Sequence, residues 1–66
     1  PRVYRPYILL MAQDFEGARS EFEALAGSEE TTLRIAGEEG LAEVSLYRGR
    51  FREAVAAYLK ALPPVE

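Results

Sequence analysis

The chain carries 11 carboxylate side chains and neither histidine nor cysteine, and this bounds the chemistry open to it. Without histidine it lacks the usual general base near neutral pH and the usual metal ligand. Without cysteine it has no thiolate and no disulfide framework. Glu29-Glu30, Glu38-Glu39 and Glu21 with Glu23 bring carboxylates close in sequence. Neighbouring helical positions point about 100° apart, so such pairs do not converge on one reacting atom as a general acid and base must. They read as solvated helix surface. Glu39 and Glu43, at i and i+4, do share a face and form an acidic patch suited to a basic peptide. Lys60 and the three serines have no partner able to activate them, so no nucleophile is expected. No catalytic residue, cofactor site or metal site is expected, and the chain is read as a non-enzyme.

Arg48, Arg50 and Arg52 cluster beside Gly49 and offer a place for an anion. That cluster carries the alternative reading, a small helical DNA-binding or regulatory domain. A net charge of −3 disfavours nucleic acid and anionic membrane surfaces, and Glu53 stands near to neutralise the cluster. Gly37-x-x-Gly40 is no phosphate loop, because it falls inside a helical pattern with no strand before it. Tyr4, Tyr7, Tyr47 and Tyr58 offer hydroxyls. Tyr58 is expected in the core, whereas Tyr47 ends a helix that would line a groove. The longest apolar run, Tyr7 to Ala12, is far too short to span a membrane.

Four helices are expected to position these groups. Pro6 suits a first helical position, so residues before it are expected to be non-helical and Tyr7 to Ala12 to form a short helix apolar on nearly every side. Gln13 and Asp14 end it. Phe15 to about Ala26 repeats apolar residues at helical spacing through Phe15, Ala18, Phe22, Leu25 and Ala26, with Asp14 as N-cap and Gly27 closing the helix. Gly17 inside it costs roughly 1 kcal/mol against alanine, a cost expected to reflect a close neighbouring helix. Ser28 is expected to cap one long helix over 29–48, with Glu29 and Glu30 in its first turn, the alternative being two shorter helices broken near Gly37. Leu33, Gly37, Gly40, Leu41, Val44 and Tyr47 share its packing stripe. Gly49 reverses the chain, and Phe51, Ala54, Val55, Tyr58, Leu59 and Leu62 then line one face of a final helix that Pro63 and Pro64 stop.

The chain also repeats itself at an offset of 36 residues, which sets Phe15 on Phe51, Ala18 on Ala54, Phe22 on Tyr58 and Gln13-Asp14 on Gly49-Arg50. Helix pairs at this period point to a solenoid of hairpins. Leu41-Ala42, Gly49, Phe51, Ala54, Tyr58 and Ala61-Leu62 resemble the tetratricopeptide repeat. Pro6 and its short helix, Ser45 in place of an aromatic and Glu38 in place of Trp depart from that pattern.

The resemblance implies an all-α fold of antiparallel hairpins stacked in a right-handed superhelix, with repeat 1 at about 4–27 and repeat 2 at about 28–64 of a single domain, 1–66. It implies a scaffold for protein–protein contact. Small residues Ala42, Ala54 and Ala61 would lie at helix crossings, and Phe51 and Tyr58 would plug the next layer. The partner surface is expected at Ala36, Glu39, Gly40, Glu43, Leu46 and Tyr47. Family members that grip a peptide carboxylate do so with Asn and basic side chains. Glu39, Gly40 and Glu43 stand at those positions, so an apolar or basic peptide is expected instead. Two repeats with apolar ends are expected to continue into further repeats of a longer protein or to self-associate, with Tyr7 to Ala12 as the associating surface.

Overall fold

A computed structural model describes residues 4–62, and among these every regular element is a helix: α1 (Tyr4–Met11), α2 (Phe15–Ala26), α3 (Thr31–Tyr47) and α4 (Phe51–Ala61). The chain is thus all-α. Short connections make sequential helices antiparallel neighbours. Each packs on the next, and α1 also touches α3, while the backbone of α4 lies beside α3 alone. The helices form an open row, with Cα extents of 38 × 28 × 13 Å, rather than a closed bundle. The prolines at 63 and 64, expected to stop α4, lie outside the described residues.

The first and third connections have the same hydrogen bonds. The Asp14 N–H donates to the Leu9 carbonyl at 2.9 Å and the Gln13 N–H to that of Leu10 at 2.9 Å. Thirty-six residues on, Arg50 donates to Ser45 at 2.8 Å and Gly49 to Leu46 at 2.9 Å. Both are Schellman turns, which need a left-handed residue after the helix. Gly49 takes it at φ 77°, and Gln13 takes it at φ 65°. The offset of 36 residues therefore holds for backbone geometry as well as for residue type. A side chain in this region costs about 1–2 kcal/mol, whereas glycine enters freely at some cost in unfolded-chain entropy. Gln13→Gly is expected to stabilise the fold by about 0.5–1 kcal/mol, and Gly49→Ala to cost about 1 kcal/mol even though an added Cβ would meet nothing within 4 Å. Thermal melts of the two variants check this; a lower midpoint for Gln13→Gly would refute it.

Several local expectations are corrected. Tyr4 and Arg5 are helical, so Pro6 is the third residue of α1. Its missing N–H is still harmless in the first turn, and its ring is fully buried, which offsets the poorer fit before a proline. Gly17 answers to its own cap and not to a neighbouring helix. The Asp14 carboxylate accepts from the Gly17 N–H at 3.0 Å and occupies the space a Cβ would need. Gly27 sits at the C-cap in a right-handed conformation (φ −84°, ψ 0°), where other residues fit as well. Ser28 accepts from the Glu30 N–H at 3.1 Å within the α2–α3 turn. It does not cap α3, which starts at Thr31 with Glu30 before it, so Glu29 and Glu30 precede the first turn. The long third helix is continuous through both its glycines.

Those glycines set the centre of the fold. A Cβ at Gly37 would strike the Ala26 N and Cα and the Phe22 carbonyl oxygen, and one at Gly40 would strike the Phe22 ring. The backbones of α2 and α3 therefore meet without side chains between them. Phe22 is fully buried there, with Tyr7 edge-on to its ring at 5.0 Å and 78°. Leu10, Ala18, Leu25 and Val44 complete the core, and Tyr7, Leu9, Phe15, Leu33 and Leu41 pack around it.

Candidate interaction surface

The final helix departs most from expectation. Its apolar stripe forms as a stripe, but α4 leans on α3 only along its alanine edge, through buried Ala54 and Ala61. Phe51, Val55, Leu59 and Leu62 are left exposed. Tyr58 is 37 % exposed where Phe22, its equivalent one repeat earlier, is 0 %. Phe51 and Tyr58, expected to be structural, therefore have no layer of the described residues to plug. The reason is positional. The face of α2 that these residues copy is covered by α3, and no described helix follows α4 to cover theirs.

Between α3 and α4 this exposure forms a groove of about 270 Å³, lined by Ile35, Glu39, Val55, Tyr58, Leu59, Ala61 and Leu62. Its lining is aliphatic and aromatic with one carboxylate. Negative potential reaches beyond Glu39. Burial raises the Tyr7 phenol above its ordinary pKa, and Glu43, Glu39 and Tyr58 add to the rise. Desolvation also raises that of Tyr58, followed by Glu43 and Glu39. Charge of this sign favours a cation over an anion in the same space.

The six residues expected to contact a partner are separated by the structure. Glu39 lines the groove, and Glu43, half-buried, adds its charge to it. Ala36 is half-buried, whereas Leu46 and Tyr47 are exposed near the end of α3. Gly40 is buried beneath the Phe22 ring and has no surface to offer. Tyr47 also falls off the packing stripe expected for it. Ile35, Val55, Leu59 and Leu62 were missed as surface residues. For Val55, Leu59 and Leu62 the signal is the amphipathic stripe of 51–62, which sequence reasoning spends on the core; Ile35, on α3, lies outside that stripe.

The arginine turn is occupied by its own chain. Arg48 reaches Glu16 of α2 at 3.3 Å and lies over the Phe15 ring with its guanidinium carbon 5.8 Å from the centroid. Arg50 reaches Glu53 at 3.8 Å. Glu16 also receives Arg19, whose hydrogen bond, with that of Arg48 behind it, holds its carboxyl below the usual range. Two of the three arginines that would have met DNA are thus committed to carboxylates. Among the described residues, no group of three or more acidic or histidine side chains is placed to hold a metal ion. No described helix is long and apolar enough to cross a membrane.

Compared with protein-family models, with curated proteins and with solved structures, the chain matches none. The class that its own geometry defines is a row of antiparallel helical hairpins in which, among the described residues, both end helices keep large apolar side chains exposed.

Proposed function

We propose that the chain is a non-enzymatic helical-repeat module, of the kind the tetratricopeptide resemblance implies, that binds another protein through the groove between α3 and α4. One observation carries this reading: four large apolar side chains along one face of α4 and Leu62 at its C-cap stay exposed, so burying them on a partner is the main free-energy gain open to this surface. The equivalent positions of α2 strengthen it. There Arg19 and Glu23 form a solvated ion pair at 2.8 Å, whereas α4 has Val55 and Leu59. A face meant for water would keep the charges. The groove suits an amphipathic helix with its apolar stripe inward, the helix-in-groove mode of recognition. Glu39 and Glu43 favour a lysine or arginine at its margin. The arginine turn, already engaged with carboxylates, lends no support to the DNA-binding alternative.

Selection from a displayed library of helical peptides tests the reading. Binders are expected to be amphipathic, with basic residues flanking the apolar stripe. Their affinity is expected to fall at least tenfold for Val55→Arg combined with Leu59→Glu. That double substitution installs the charge pair of α2 on α4 and is expected to leave folding intact, because both side chains are exposed. Peptides that bind this variant as tightly as the parent would refute the groove as the site.

A further inference from the structure

The uncovered face of α4 has a matching counterpart at the opposite end of the same molecule. Within the chain, α3 seats on α2 by placing Gly40 and Val44 against the layer that contains Phe22, with Gly37 against the backbone of Phe22 and Ala26. Advancing the α2 half of this contact by 36 residues gives Tyr58 on α4 and Leu62 at its C-cap, both exposed. Moving the α3 half back by 36 residues gives Tyr4 for Gly40 and Ile8 for Val44, both on α1. These two are 62 % and 64 % exposed. The backbones of α1 and α4 make no contact, so one molecule cannot bring its two halves together. Another copy can.

We propose that this chain associates head to tail, with α1 of one copy seated in the α3–α4 groove of the next as α3 is seated on α2. Tyr4 stands where α3 has glycine, so the approach is wider than the internal crossing. Its ring enters the groove of about 270 Å³ beside Tyr58. The two halves are different surfaces, so the contact is heterologous and each added copy presents a fresh groove. The product is a growing row rather than a closed two-fold dimer. The proposal rests on the reading of the groove as an interaction surface, and it names the occupant.

Sedimentation of the full chain from micromolar to millimolar concentration tests it. The parent is expected to exceed the mass of a dimer as concentration rises. Ile8→Glu spoils the α1 half and Leu62→Glu, at the position equivalent to Ala26, spoils the α4 half, so each alone is expected to associate at least tenfold more weakly. Mixed in equal amounts, they are expected to form a complex of two chains and nothing larger, because each variant keeps the half the other lacks. Helical circular dichroism verifies folding, and Tyr4→Glu replaces Ile8→Glu if that variant unfolds. A parent that stays monomeric at millimolar concentration overturns the proposal. So does association indifferent to the α1 substitutions, which would indicate pairing of α4 with α4, or a mixture that stays monomeric. If peptide selection succeeds while the parent stays monomeric, the groove reading stands and only the choice of occupant falls.

Discussion

Gly37→Ala is expected to cost about 2–4 kcal/mol of folding stability, despite the roughly 1 kcal/mol that alanine gains over glycine in a helix. The added methyl would fall on the Ala26 and Phe22 backbone, which cannot rotate aside as a side chain can. Relief would require α3 to move off α2 along its length. A domain of this size holds only about 3–10 kcal/mol in total, so the variant should be largely unfolded at modest urea concentration. Denaturation followed by helical circular dichroism measures it. An increase in stability would mean that propensity alone governs the position and that the helices do not meet as described.

The second large effect is expected from Phe22→Ala, at about 3–5 kcal/mol. Phe22 is fully buried, it touches Tyr7 on one side, and Gly40 leaves its ring room on the other. Truncation would leave a cavity where α1, α2 and α3 meet, and backbone contact at Gly37 hinders its collapse. The ring and Gly40 should also prove coupled. Gly40→Ala alone drives a methyl into the ring, whereas with Phe22→Leu there is space for it. The double variant should therefore be more stable than the sum of the single losses by about 1 kcal/mol or more. Additive losses would show that the ring and the glycine do not face each other.

These positions show how far the residues alone could be read. Gly37 and Gly40 stand three apart on the same stripe as Leu33, Leu41 and Val44, so their place at a helix crossing was legible from periodicity. Which helix they met was not, because a stripe names a face and leaves the neighbour open. Gly17 shows the opposite limit. It too is a glycine within a helix, but its neighbour is the carboxylate of its own N-cap. Spacing does not distinguish the two cases. Backbone chemistry allows Pro6 to start a helix, whereas in the fold its ring is buried and α1 begins two residues earlier, at Tyr4.

The candidate surface divides along the same line. Glu39 and Glu43 were legible as a shared face, and they do bear on the groove. Gly40 was assigned both to the packing stripe and to the partner surface, and burial beneath Phe22 leaves only the first.

By itself the sequence determined four helices, their order, the turns at Gln13 and Gly49 and the repetition at 36 residues. All of these follow from interactions within a few positions of one another: periodicity, caps and left-handed turns. Only the tertiary structure decided which apolar stripes are buried. Phe22 and Tyr58 occupy the same place in their repeats, on helices with the same edge packed. One is covered because a helix follows it, and the other is open because no described helix does. Burial depends on the neighbour, and a residue's own pattern does not encode whether that neighbour is there.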